Sequence, residues 1–236
     1  SIIILLILIL IYLNFYGIET NRFNSLIRDE IKSYDNKLDI KLKKVKLLVD
    51  LKNFAVKIQT NNPTINYQNI RVDIKKISTN FSLESYFKKK FGVKNLFIST
   101  KSTNIKDLIY IARSVKNSPE LFIISQTIKK GTVQATIDLR FDDIGKVKSD
   151  YIISGITKNI ELKLPKNHYI DNINFNFNIL ENNYKFKNIS FDYNKIKFFS
   201  ESIFFNNKEN NYLIEGNIKN NEAILNSKII SLFLNN

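Results

Sequence analysis

Side chains that could carry acid–base, nucleophilic or metal chemistry are few in this chain. Its 236 residues include no cysteine and a single histidine, His168. The lack of cysteine excludes a disulfide framework, a thiolate zinc site and a cysteine nucleophile. His168 follows the turn-forming stretch Pro165-Lys166-Asn167, and no second histidine exists to complete a metal site with it. We therefore expect His168 in a surface loop.

Neither the paired carboxylates nor the sequence motifs of the chain indicate catalysis. Asp142-Asp143 precedes Ile144-Gly145. Adjacent residues of a strand point to opposite faces, so a hairpin turn explains this pair better than acid–base chemistry does. The sequence has no Gly-rich phosphate loop, no G-x-S-x-G elbow and no H-E-x-x-H motif. It predicts a protein that is not an enzyme and that uses no cofactor and no metal.

The sequence feature that does point to a binding function is a set of apolar residues that alternate with polar ones. Six large apolar side chains recur at every second position and are the candidate binding residues: Ile173, Phe175, Phe177, Ile179, Phe191 and Tyr193. Such spacing places side chains on one face of a strand. That face either lines a trough for long apolar chains or fills the core of a closed sandwich, and the sequence leaves both open.

From residue 131 onward nearly the whole sequence alternates, which predicts an antiparallel series of hairpins. Strands are expected at 133–141, 160–164, 173–179, 184–186, 191–193 and 196–198. Residues 172–177 are echoed by residues 188–193, an offset that suits a strand, a turn and a returning strand.

Residues 21–130 mix helical and strand periods. Helical spacing predicts helices over 23–34, with Asn21 or Asn24 as the cap, and over 82–90 and 104–116. Alternation predicts strands at 38–42, 45–51, 54–58, 70–74 and 96–98. We expect an α+β, mostly antiparallel β fold, with an α+β region at 21–130 and antiparallel β-hairpin repeats at 131–236, the part that a groove would occupy if the apolar face stays open.

An unbroken apolar run covers residues 2–13 and continues, with one asparagine, to Ile18. Its length of about 17 residues is the short limit for a membrane-spanning helix. No small-residue cleavage pattern follows it, so we expect an uncleaved transmembrane anchor over residues 1–20, with a buried core helix as the alternative. The anchor residues would be Ile2, Leu5, Leu8, Tyr12 and Tyr16, with the tyrosines near the interface. Apolar residues 229–234 at the other end suggest a piece of a longer protein.

A net charge of +14 and a pI near 9.7 are typical of proteins that bind nucleic acid or anionic membranes. In the alternating segments, however, the aromatic residues and the Lys and Asn residues fall on opposite faces. This disfavours base stacking beside cations, and we expect no nucleic-acid partner. Salt-sensitive binding to an anionic surface stays open as a weaker alternative.

Five features together carry a resemblance to a known family: the apolar first segment, residues 38–47, Pro63-Thr64-Ile65, residues 70–74 and the alternation that begins at Gly131-Thr132-Val133. In these features the chain resembles the AsmA-like proteins of Gram-negative bacteria, including TamB-type members, which are related in architecture to chorein-type bridge proteins. The resemblance implies a single-pass inner-membrane protein whose periplasmic body consists of repeated β-hairpins curled into an open groove. It also implies phospholipid as cargo, for transport to or maintenance of the outer membrane, and outer-membrane assembly proteins as partners.

A second class of function is also consistent with a strand-rich chain. A non-enzymatic assembly factor of the cell envelope would bind partner strands at the edges of its sheet, and no lipid would move.

Overall fold

A computed structural model describes residues 2–115, 118–181, 183–208 and 211–220. Within them the chain forms five α-helices and fifteen β-strands. The helices are α1 (Ile2–Phe15), α2 (Asn24–Tyr34), α3 (Leu83–Phe87), α4 (Ile105–Val115) and α5 (Pro119–Thr127). The strands are β1 (Ile18–Thr20), β2 (Leu38–Lys41), β3 (Val45–Asp50), β4 (Ala55–Asn61), β5 (Thr64–Tyr67), β6 (Ile70–Ser82), β7 (Val93–Thr100), β8 (Thr103–Asn104), β9 (Ile128–Arg140), β10 (Ile152–Lys163), β11 (Tyr169–Leu180), β12 (Asn183–Tyr193), β13 (Ile196–Lys208), β14 (Asn211–Gly216) and β15 (Lys219–Asn220). The apolar residues 229–234 lie outside the described residues.

The strands join in one antiparallel sheet. Its main path runs β1-β3-β4-β6-β7-β9-β10-β11-β12-β13-β14, and β2 and β5 extend β6 as a side arm. From β9 to β14 each strand pairs with the next one along the chain, as short connections between antiparallel strands favour. The expected fold class, mostly antiparallel β with a few short helices, is confirmed. The sheet is open and uncurled, however, and so differs from the curled groove that the resemblance implies.

Helix α1 is shorter than the expected anchor. It ends at Phe15, and the residues after Gly17 form β1, which pairs with β3. Gly17 turns the chain at φ 68°, where a Cβ atom would collide with the backbone of Leu47. Helix α1 spans about 21 Å at 1.5 Å per residue, against about 30 Å for the hydrocarbon core of a bilayer. Among the described residues no helix is long and apolar enough to cross a membrane, so a single-pass anchor over residues 1–20 is not supported.

The alternative, a buried core helix, is wrong. Every side chain of α1 from Ile2 to Tyr12 is exposed, and the rings of Tyr12 and Tyr16 stack on each other at 5.3 Å. A helix that is apolar on all sides normally lies inside a protein core or a membrane. Helix α1 therefore presents an apolar surface that the described part of the chain leaves uncovered.

Two helix starts differ from the expected ones. Helix α2 has no side-chain cap at its start; instead the Asn24 side-chain amide donates hydrogen bonds to the carbonyl oxygens of Leu42 and Lys43. Helix α5 is not predicted by periodicity, because its apolar residues are consecutive. Its start is well formed, since the Ser118 hydroxyl oxygen accepts a hydrogen bond from the Leu121 amide and proline occupies the first helical position.

Three asparagines interrupt the alternation of neighbouring strands. Asn159 in β10, Asn172 in β11 and Asn188 in β12 have φ values of 51°, 50° and 52°, in the left-handed region that asparagine tolerates better than most residues. At these points the pairing register of β10 with β11, and of β11 with β12, shifts by one residue. Each pair of strands has one extra residue on either strand, and the two extra residues cancel, so the pairing register returns to its original value.

These bulges give the sequence echo a structural meaning. Asn172 and Asn188 begin the two matching segments, and each is followed by a buried isoleucine, as Asn159 is. The bulge at Asn188 also joins what the alternation predicts as two strands, 184–186 and 191–193, into the single strand β12. A bulge shifts the phase of the alternation without ending the strand.

The bulge at Asn188 gives a first prediction. Substituting Asn188→Val is expected to lower the free energy of unfolding by about 1–2 kcal/mol, because a β-branched residue is strained at positive φ. Substituting Asn188→Gly removes the same amide but relieves the strain, so its effect should stay within about 0.5 kcal/mol. Urea unfolding of both variants measures the difference. Equal losses would mean that the amide group, and not the backbone conformation, is what matters.

Buried apolar residues concentrate in two regions. One is the side arm and its junction with the main sheet: Ile40, Val45, Tyr67, Val72 and Ile74. The other lies under α4 and consists of Ile109, Ile128, Ile160 and Ile173. Strand β9 runs through residue 130, so the same sheet carries both the 21–130 region and the repeats that follow it.

Candidate functional site

Large apolar side chains of adjacent strands lie on one face of the sheet, which we call the inner face. Directly paired residues of an antiparallel sheet project to the same side. Phe177 pairs with Phe186, which pairs with Ile203, and Tyr184 pairs with Phe205. Apolar side chains therefore meet from strand to strand across β11, β12 and β13.

Five of these inner-face side chains form a group that we call the aromatic row: Phe175, Phe177, Tyr184, Phe186 and Phe205. Ring centroids lie 5.4 Å apart for Phe175 and Phe186 and 5.6 Å apart for Tyr184 and Phe205, both with edge-to-face geometry. This geometry is the favoured one for aromatic pairs. All five side chains are only half-buried, so part of each ring in the aromatic row stays accessible to solvent.

The inner face is closed at the end where α4 lies. Ile109 of α4 packs on Ile128, Ile160 and Ile173 of three adjacent strands, and the partly buried Phe175 packs against this cluster. The inner face thus has a sealed end under α4 and a half-exposed part along the aromatic row.

A cleft of 530 Å³ opens beyond the sealed cluster, and we call it the apolar cleft. Its lining residues are Leu164, Pro165, Lys166, His168, Ile170, Phe191, Tyr193, Phe198 and Ile218. The rings of Phe191 and Phe198 stack at 5.3 Å in its wall, and His168 Nδ1 lies within hydrogen-bond distance, 3.0 Å, of the Tyr193 hydroxyl. The volume falls within the range of about 300–1,000 Å³ that is usual for small-molecule sites.

The opposite face of the same strands is polar. Asn176 pairs with Lys187 and Asn178 pairs with Lys185. Two phenylalanines also lie on this face, and a lysine covers part of each ring: the Lys185 ammonium lies 4.7 Å from the centroid of the Phe204 ring, and the Lys197 ammonium lies 5.4 Å from that of Phe199. The sheet is therefore amphipathic in β11 to β13, and its inner face is the one suited to apolar ligands.

The structure places all six candidate residues on the inner face but divides them among its parts. Ile173 is buried under α4, and Phe175 packs against the same cluster. Phe177 and Ile179 are half-buried on the same side of β11. Phe191 and Tyr193 line the apolar cleft. Ile173 is therefore buried, as expected for a closed core and not for an open trough.

Two residues outside the six candidates also belong to this face. Ile170 lines the apolar cleft and pairs with Tyr193, although it is three positions before Ile173 and hence out of phase with it. The bulge at Asn172 shifts the alternation by one residue and so brings Ile170 onto the same face as Ile173. An asparagine between two apolar residues three positions apart is the sequence signal that could have identified Ile170. Phe198 is the partner of Phe191 on β13.

The residues considered for catalysis occupy structural positions. His168 follows a short 3-10 turn, as expected of a loop residue, but it is half-buried at the cleft rim. Asp142 accepts hydrogen bonds from the amides of Ile144 and Lys146, which confirms the hairpin turn. Among the described residues no group of three or more His, Asp or Glu side chains is placed to hold a metal ion.

Asp143 fixes this turn to the segment after α3. Its carboxylate accepts hydrogen bonds from the ammonium groups of Lys90 at 2.7 Å and Lys94 at 2.9 Å, which lower the pKa of Asp143 to about 2. The Phe91 amide also donates a hydrogen bond to the Asp143 carbonyl oxygen. The depressed pKa thus has its cause in an exposed ion-pair network away from the inner face.

No protein-family model, curated protein or solved structure matches the chain. The resemblance to AsmA-like proteins therefore rests on the sequence pattern alone.

Proposed function

We propose that this protein binds lipid acyl chains on the inner face of its sheet and that α1 associates it with a membrane. The observation that carries the proposal is the apolar cleft, which lies on the same face as the aromatic row and beyond the sealed cluster. An open, uncurled sheet would hold an acyl chain as a platform, with one side of the chain against the aromatic rings. Burying apolar surface contributes about 25 cal/mol per Å², so an unsealed row of rings favours an apolar ligand.

The polar atoms of the cleft suit an amphiphile. Lys166, His168 and Tyr193 are the polar side chains at a cleft whose other lining residues are apolar. Few polar groups among many apolar ones are typical of sites that orient a ligand by its polar end. A phospholipid or a similar amphiphile is the ligand class that this arrangement supports.

The cellular setting follows from the resemblance. An AsmA-like role would place the protein at the bacterial inner membrane with its body in the periplasm, moving phospholipid toward the outer membrane or maintaining it. The exposed apolar surface of α1 supports contact with a bilayer, without requiring that α1 cross it.

A binding assay with a fluorescent phospholipid tests the acyl-chain site. Substituting Phe177→Asp puts a carboxylate on the inner face, where an acyl chain would strip it of water, so we expect at least tenfold weaker binding. Phe204→Asp is the matched control, since Phe204 lies on the opposite face of β13. It should bind as the unaltered protein does, and far-UV circular dichroism should show both variants folded.

Two results would overturn the proposal. Equal binding by Phe177→Asp and Phe204→Asp would remove the inner face as the site. Unfolding of Phe177→Asp alone would show that the aromatic row is a packed core, as a closed sandwich requires.

A second candidate function is supported by the sheet edges. Among the described residues, strand β14 ends the main path, and its Leu213 and Ile214 side chains are exposed. Edge strands present unpaired backbone groups to which a partner strand can add, as an envelope assembly factor would use. The same variants separate the two functions, because Phe177→Asp lies in an interior strand and should leave partner binding at the edge intact.

A further inference from the structure

Helix α5 exposes three large apolar residues in succession. Phe122, Ile123 and Ile124 are 50%, 62% and 41% exposed. At 3.6 residues per turn, three consecutive side chains extend over about 200° of the helix circumference. Packing on β9 and α4 can therefore cover only part of this set, which we call the α5 patch. Single exposed apolar residues are common on proteins, but a contiguous group marks an interaction surface.

Cationic side chains border the α5 patch. The Arg113 guanidinium lies 5.2 Å from the centroid of the Phe122 ring and donates a hydrogen bond to the Ser125 hydroxyl at 3.0 Å. The Lys129 ammonium donates a hydrogen bond to the Gln126 carbonyl oxygen just beyond the last apolar residue. These contacts hold one cation at the patch itself and another at the end of the helix.

Acidic residues are scarce in the sequence of this helix. Glu120, in the first turn, is the only charged residue in the sequence of α5, and the chain as a whole carries a formal net charge of +14. Apolar residues flanked by cations are complementary to the surface of an anionic bilayer, where acyl chains lie beneath negatively charged phosphate groups.

We propose that the α5 patch is a membrane-contact site for anionic lipid bilayers, separate from α1. Phe122 and Ile123 enter the boundary between headgroups and acyl chains, while Arg113 and Lys129 lie at the level of the phosphates. This contact does not depend on the acyl-chain site of the inner face, because the two use different residues.

The absence of tryptophan from the sequence allows a direct test. In the full chain, Phe122→Trp introduces a unique fluorophore at the patch, and Ile144→Trp introduces one at an exposed turn as the matched control. Vesicles of equal parts phosphatidylglycerol and phosphatidylcholine are added. We expect the emission of Phe122→Trp to shift to shorter wavelength and to be quenched by brominated lipid, and the emission of Ile144→Trp to stay unchanged. Vesicles of phosphatidylcholine alone, or high salt, should weaken the shift.

A third reporter, Tyr12→Trp in α1, keeps the outcomes distinct. A shift of Tyr12→Trp without a shift of Phe122→Trp would overturn the α5 contact and leave α1 as the membrane contact. An equal shift of Phe122→Trp on both kinds of vesicle would overturn the role of the cations. No shift of either reporter would overturn the α5 contact and also the membrane association in the proposed function. Ile123→Trp repeats the measurement if Phe122→Trp does not fold.

Discussion

Replacing Ile160 by alanine is expected to lower the free energy of unfolding by about 2–5 kcal/mol, as for other large-to-small changes in a packed core. Ile160 is 2% exposed and packs with Ile109, Ile128 and Ile173 at the sealed end of the inner face. Truncation leaves a cavity between α4 and the sheet that neighbouring strands, held by their hydrogen bonds, cannot fully close.

Ile156→Ala is the matched control for this change. Ile156 stands four residues earlier on the same strand, β10, but it is 48% exposed and lies on the opposite face. Its truncation should change the free energy of unfolding by no more than about 0.5 kcal/mol. Urea unfolding followed by circular dichroism compares the two. Similar losses would contradict the division of β10 into a sealed side and an exposed side.

The second large effect is expected at α1. Substituting Leu5→Asp together with Leu8→Asp should lower partitioning into lipid vesicles by about a hundredfold. On a membrane-insertion scale each exchange costs about 3 kcal/mol at the centre of a span. If each site loses about half of that cost, the two together lose about 3 kcal/mol of binding free energy. This corresponds to about a hundredfold weaker partitioning, since about 1.4 kcal/mol corresponds to tenfold. Co-sedimentation with vesicles measures the partitioning.

The control for α1 is Leu26→Asp, which changes an exposed leucine of the neighbouring helix α2. It should sediment with vesicles as the unaltered protein does. The stability of the Leu5→Asp, Leu8→Asp variant should also be unchanged, because α1 has no buried side chain. Unaltered sedimentation of the double variant would show that α1 is not the membrane contact.

Much of the strand content could be predicted because the signal is local. A period of two needs only the residues of one strand. It locates β11 within four positions of its observed bounds, and it finds the end of β9 and the start of β13, although it misses most of the length of β13. The same signal assigns Phe177 and Ile179 to one face of β11. Helix α4 is found for the corresponding reason, since its period of 3.6 is regular over the whole element.

Local signals fail where a neighbouring strand decides the outcome. The apolar run alone predicts a helix to Ile18, but pairing of β1 with β3 ends α1 at Phe15. Alternation alone divides β12, but bulges matched on β11 and β12 make it continuous. Helix α5 escapes prediction because consecutive apolar residues have no helical period, and its Ser118 cap is a single contact.

By itself, the sequence determined that this protein is rich in amphipathic strands, opens with an apolar segment and lacks the usual catalytic motifs, because these properties depend on residue type and short spacing. Only the tertiary structure decided that the strands join in one open sheet, that α4 seals Ile173 while the aromatic row stays half-buried, and that α1 is exposed. The physical reason is that register and cover depend on residues far apart in the chain, whose contacts no local pattern contains.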